Sequence, residues 1–172
     1  MKNYFLFILF LGIGSCSESY QVTVDQSGTK IITGICDRQI LISEPDLKEW
    51  YEPQYSGYQV DQSVLEEVDS LSQNVSFIVF LGTWCSDSQR EVPRFFKIAD
   101  EAKIPSTKIM LYGVDRTKRS SDGMTDKYHI LNVPTIIIMN GEEELGWIVE
   151  FPQETLEKDL ENVLMKQEHL KN

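Results

Sequence analysis

Apolar residues in this chain fall into two rhythms, and their alternation predicts an α/β fold. Residues 77–81 (Phe-Ile-Val-Phe-Leu), 109–114 and 135–139 are nearly unbroken apolar runs rich in β-branched side chains. Such runs mark strands buried on both faces. Between them the spacing becomes helical. Val64, Leu65, Val68 and Leu71 make one face, Val92, Phe95, Phe96 and Ala99 a second, and Leu156, Leu160, Val163 and Leu164 a third. Ser63-Val64-Leu65-Glu66 has the form of a capping box at the first helix. Pro93 predicts a kink one to two turns into the second.

The flanking segments are shorter and more polar. Val22 and Val24 alternate with polar neighbours, Ser27-Gly28 signals a turn, and residues 30–35 resume an apolar run, which together predict a β-hairpin. Residues 47–58 carry Trp50, Tyr51, Tyr55 and Tyr58 but are broken by Pro53 and Gly57. The expectation there is a short helix, then an irregular stretch packing between hairpin and domain. Residues 115–123 read as a polar loop and 124–130 as a short helix. Asn140-Gly141 is a hairpin-type turn leading into a returning strand at 146–150. The predicted order is a hairpin followed by α-β-α-β-α-β-β-α, without internal repeats.

The first sixteen residues form a unit of another kind. Lys2 supplies a positive charge, residues 4–12 are an apolar run too short for a settled membrane span, and Ile13-Gly14-Ser15-Cys16 sets small residues before a cysteine. That is the pattern of a bacterial lipoprotein signal. The resemblance to such signals implies cleavage before Cys16 and acylation at Cys16, where several acyl chains would anchor the protein stably; the other reading is an ordinary secretory signal in which Cys16 is incidental. The expected organisation is a signal peptide at 1–15, a tether and start of the hairpin at 16–29, an N-terminal extension at 30–59, and the main domain at 60–172. The expected location is the cell envelope, lipid-anchored and facing the periplasm.

Charge narrows the partners. Asp and Glu number 27 against 16 Lys and Arg, a net charge of −11, and removing Lys2 makes the balance more negative. A surface of that sign argues against nucleic acid and against electrostatic docking on anionic lipid. Cys36 and Cys85 remain after lipidation, too few for a disulfide scaffold or a zinc tetrad. His129 and His169 lie far apart and read as surface or packing residues, so no metal site is expected.

The chemistry concentrates in Trp84-Cys85-Ser86-Asp87-Ser88, where a buried strand gives way to a helix. A thiol in that position gains from the helix dipole and from unpaired N–H groups, which favour the nucleophilic thiolate. Ser88 occupies the second cysteine's place in a Cys-x-x-Cys arrangement, so the site is built to attack a disulfide without resolving the exchange itself. The Ser88 hydroxyl either hydrogen-bonds the thiolate or satisfies the helix's first turn. Asp87 sets a negative charge beside the thiol. The segment Asp115-Arg116-Thr117-Lys118-Arg119 gathers three cations in a loop expected on the same sheet edge as Cys85. Cys36 is either a small buried residue or a candidate resolving thiol, the latter requiring Cα atoms within about 7 Å.

Between residues 60 and 164 these landmarks resemble the thioredoxin superfamily. Trp84-Cys85 falls on the family's Trp-Cys, Pro93 on the proline of its active-site helix, and Val133-Pro134-Thr135 with Asn140-Gly141-Glu142 on its cis-proline loop and hairpin. The resemblance implies a thioredoxin-like three-layer α/β/α sandwich with a mixed central sheet and an N-terminal β-hairpin extension. It also implies a substrate edge at Trp84, Val133 and Pro134, where an extended partner adds as a strand. The hairpin and lipid signal most resemble membrane-anchored thioredoxin-like lipoproteins of Gram-negative bacteria of the Bacteroidetes type. The departures are Ser88, Val79 in place of the family's buried acid, and Val149-Glu150 where the family has a small residue. The implied activity is monothiol thiol–disulfide exchange by a monomer through Cys85 and Ser88 on a thiol or disulfide protein, with no cofactor. The alternatives are a binding module using the cis-proline groove, a dithiol enzyme resolved by Cys36, and, last, peroxide reduction at Cys85.

Overall fold

The computed structural model describes residues 20–169; the expected signal peptide with Cys16, and the His169 side chain, lie outside the described residues. The chain runs β1 (Gln21–Val24), β2 (Lys30–Cys36), α1 (Gln39–Ser43), α2 (Pro45–Gly57), α3 (Gln62–Leu71), β3 (Ser76–Leu81), α4 (Ser86–Glu101), β4 (Ile109–Gly113), α5 (Met124–Lys127), β5 (Thr135–Asn140), β6 (Glu143–Val149) and α6 (Leu156–His169). The strands form one mixed sheet in the order β1-β2-β4-β3-β5-β6. Only β3 and β4 are parallel; the other neighbours are antiparallel.

Side chains alternate across each strand, so the sheet divides its apolar residues between two cores. Phe77, Val79, Leu81, Leu111, Ile136 and Ile138 face a large core built with every helix except α5. Ile78, Phe80, Tyr112, Val114, Ile137 and Met139 face the other way, against Ile130, Val133, Met124 and Tyr128. The second outer layer of the sandwich is thus reduced to α5 and the irregular segments around it. The expected helix at 124–130 shrinks accordingly to Met124–Lys127.

The hairpin is woven into this sheet and does not stand beside it. The first half of β2 pairs with β1, and the second half (Gly34, Ile35, Cys36) pairs with Gly113, Tyr112 and Leu111 of β4. The strand changes partner at Gly34, whose φ of 96° is open to glycine and costly for other residues. Ile32, Cys36, Ile40, Leu41, Leu47 and Tyr51 enter the same core as β3 and α4. Residues 30–59 therefore share the domain's core.

Two local expectations change for physical reasons. The aromatic segment is one continuous helix of 13 residues with Pro53 inside it. Arg38 stacks on Tyr51, Tyr55 and Phe96 and pairs with Asp100 at 2.8 Å, tying α2 to α4 and outweighing the proline. At α3 the cap is Asp61, whose carboxylate accepts the Ser63 N–H at 2.9 Å, so Ser63 lies inside the helix. Just before it, the buried Glu157 accepts from the Tyr58 hydroxyl at 2.9 Å and from the Asp61 N–H at 3.1 Å. Burial and that carboxylate push the Tyr58 phenol well above its ordinary range.

The contact between β2 and β4 is too close for a side chain. A Cβ on Gly113 would come 2.4 Å from the Ile32 carbonyl oxygen, a backbone atom that cannot rotate away. Gly113→Ala should destabilise the fold by about 1–3 kcal/mol, measured by urea unfolding, while Gly141→Ala, in open space at a hairpin turn with φ 62°, should cost less.

Candidate active site

β3 leaves the sheet at Leu81, and the chain turns into α4 within residues 82–85. Cys85 is the residue before the helix, with extended backbone (φ −95°, ψ 123°), its N–H bonded to the Gly82 carbonyl at 2.9 Å and its carbonyl accepting the Gln89 N–H at 2.9 Å. The thiol thus stands at the helix N-terminus, half-buried. Its Sγ–H donates to the Val133 carbonyl at 3.2 Å. That carbonyl precedes Pro134, and the Val133–Pro134 peptide bond is cis. Glu150, held at φ 62°, donates its N–H to the Pro134 carbonyl at 2.7 Å and draws the end of β6 to the same loop.

Trp84 shields one side of the turn. Its indole N–H donates to the Val114 carbonyl at 3.0 Å, and its ring lies so close over Gly82 that a Cβ there would come 2.7 Å from Cε2. Gly82 is a site requirement that the sequence signals only by its place two residues before the tryptophan. Thr83 is buried and its hydroxyl donates to the Lys30 carbonyl at 2.6 Å, joining the turn to β2.

Ser88 is fully buried, and its hydroxyl accepts the Gly82 N–H at 3.1 Å. It closes the strand-to-helix turn from inside, a role different from both sequence expectations. Asp87 pairs with Arg90 at 2.8 Å, so its charge is partly balanced on its own helix. Of the three loop cations, Arg116 reaches the site, with its guanidinium 5.5 Å from the Trp84 ring. Val79 is fully buried between Leu111 and Ile136 in register, in an apolar setting. His129 is exposed.

Cys36 lies elsewhere. The Lys30 end of β2 meets the turn through Thr83, and β2 runs away from it to Cys36, which pairs with Leu111. At about 3.3 Å per residue, that is on the order of 20 Å along the strand, well beyond the ~7 Å that bridging allows. The buried Cys36 lines a cavity of about 240 Å³ with Arg38, Ile42, Phe96 and Ser106. Among the described residues no group of three or more His, Cys, Asp or Glu is arranged to hold a metal ion.

This half-buried thiol at a helix N-terminus, against a cis-proline loop and beside a tryptophan, lies within residues 39–162, which match the thioredoxin family model. The chain belongs to the thioredoxin family. The match begins at α1, well before residue 60, in agreement with the shared core of residues 30–59. Among solved structures, this thioredoxin-family chain is similar to a protein of unknown function from Pseudomonas aeruginosa (TM-score 0.53, 16% identity, covering 78% of this chain and 92% of that one), a likeness of fold alone. Thioredoxin O2 from Arabidopsis thaliana in its oxidised state is also similar, at TM-score 0.36 and 18% identity over 63% of this chain and 82% of that one. No curated protein matches the sequence significantly.

Removing the Ser88 hydroxyl would strand a buried backbone donor. Ser88→Ala should cost about 1–3 kcal/mol in chemical denaturation, and the amide hydrogen of Gly82 should lose protection from exchange relative to those of β3.

Proposed function

We propose that this protein performs monothiol thiol–disulfide exchange through Cys85. The thioredoxin-like domain points to thiol–disulfide oxidoreductase-type chemistry. The observation that carries the finer reading is the setting of Cys85: a half-buried thiol at the N-terminus of α4, 3.2 Å from the Val133 carbonyl, with the Ser88 hydroxyl where a second thiol would stand and Cys36 at the far end of β2. The Cys85 thiolate attacks one sulfur of a partner's disulfide. That S–S bond breaks, a Cys85–partner disulfide forms, and the departing sulfur takes up a proton. A thiolate from outside then attacks the Cys85 sulfur's partner atom, restores Cys85, and carries the linkage away. Trp84, Val133 and Pro134 form the edge along which the partner lies.

Replacing Ser88 with cysteine supplies an internal resolving thiol one helical turn away, at high effective concentration. With a disulfide-containing peptide, the natural chain should accumulate the mixed disulfide until a small thiol is added, and Ser88→Cys should turn over at least tenfold faster at limiting external thiol. Cys36→Ala should leave both unchanged. A natural chain that turns over without external thiol and loses this rate in Cys36→Ala is a dithiol enzyme, and the monothiol mechanism is then wrong. A Cys85 that forms no mixed disulfide indicates a binding module.

The proposal extends to the setting: an envelope lipoprotein of the Bacteroidetes type, anchored through Cys16 and facing the periplasm. Its support is the leader sequence itself. Among the described residues no helix is long and apolar enough to cross a membrane. Metabolic labelling with a radioactive fatty acid should mark the natural chain and not Cys16→Ala, and the variant should leave the membrane fraction. Unchanged fractionation would overturn the anchor.

A further inference from the structure

One carboxylate links the N-terminal hairpin to the active-site tryptophan. Asp25 closes the turn between β1 and β2 with Oδ1, which accepts from the Ser27 N–H at 2.9 Å, the Ser27 hydroxyl at 2.6 Å and the Thr29 N–H at 3.0 Å. Its other oxygen, Oδ2, accepts from Arg116 Nε at 2.8 Å and Nη2 at 2.6 Å. Arg116 in turn places its guanidinium 5.5 Å from the Trp84 ring. Asp25 and Arg116 are 91 positions apart in sequence, so only the tertiary fold brings them together. Arg116 is half exposed, whereas the Asp25 side chain is mostly covered. The hydrogen bonds from Ser27 and then Arg116 hold the Asp25 carboxyl well below the usual carboxylate range, so it stays charged.

The pair acts on a turn already tied to the hairpin at a second point, the 2.6 Å bond from Thr83 to Lys30. Trp84 has little freedom on its inner side, where Gly82 and the Val114 carbonyl hold it. On another side the Arg116 guanidinium lies over the ring, an attraction a planar arginine makes well, and Asp25 fixes where that guanidinium sits. We propose that Asp25 and Arg116 are positioning residues for Cys85: the pair latches the Trp84 indole against the hairpin and so limits how openly an incoming disulfide meets the sulfur. This rests on Cys85 being the reactive thiol. Neither residue touches the sulfur. The hairpin thereby gains a function beyond its place in the sheet, as the part of the chain that sets access to the site.

The test separates the latch from the turn. Asp25→Asn keeps one acceptor oxygen for Ser27 and Thr29 but sets an amide NH2 where Arg116 needs an acceptor. Arg116→Ala removes the cation, and Arg116→Lys keeps a cation but offers a single donor nitrogen where Arg116 brings two to Asp25. With Trp50 and Trp147 changed to Phe, Trp84 is the sole tryptophan, and its quenching by acrylamide reports its cover directly. Quenching and the rate of Cys85 alkylation by iodoacetamide should each rise threefold or more in Asp25→Asn and in Arg116→Ala, with Arg116→Lys between these and the natural residue. Unchanged values in Asp25→Asn, or an Arg116→Ala effect that Asp25→Asn does not reproduce, overturn the latch. A Cys85 inert toward disulfides in every variant overturns the exchange reading alone, because the quenching of Trp84 is read without the thiol.

Discussion

The turn from β3 into α4 is the constraint from which the site follows. A strand buried on both faces must hand its last backbone groups to partners as it leaves the sheet, since an unpaired donor there is expensive. Here the Gly82 N–H goes to the Ser88 hydroxyl, the Gly82 carbonyl takes the Cys85 N–H, and the Thr83 hydroxyl reaches the Lys30 carbonyl. Once those are satisfied, Cys85 has one place to be, at the end of α4 facing Val133. Only glycine at position 82 lets the Trp84 ring come this close to the turn.

Around this turn the fold is lopsided, and the lopsidedness serves the site. The helices other than α5 pack on one face and supply the larger core. The opposite face is covered by α5 and the segments flanking it, and that thinner layer brings Arg116 to the Trp84 ring and the Val133–Pro134 edge to the thiol. Binding and catalytic groups on loops carried by a rigid scaffold are a general economy of folds. The hairpin completes the arrangement, because β2 runs beside β4 with its Lys30 end bonded to the turn between β3 and α4.

Much of the fold was legible in the chain. The three buried strands at 77–81, 109–114 and 135–139 stood out because a strand covered on both faces has no polar side to alternate with. The helical faces at Val64, Val92 and Leu156 stood out because a one-sided helix repeats its apolar residues at 3.6. The segment 39–57 was harder. Pro53 argued against helix locally, while Arg38, Tyr51, Tyr55, Phe96 and Asp100, drawn from three elements, argued for it. A local breaker is visible in sequence, and a distant stabiliser is not.

At the site the same division holds. Sequence by itself determined the thiol, its position between strand and helix, the serine in place of a second cysteine, and the proline loop, because each is a residue type at a short spacing. Tertiary structure alone decided what Ser88 bonds, that Cys36 lies about 20 Å along β2 from the turn, and that Asp25 holds Arg116 against Trp84. Those outcomes depend on strand register and on which loop ends meet at one sheet edge. Register is set by burial summed over the whole sheet, and no short stretch of the chain carries that information.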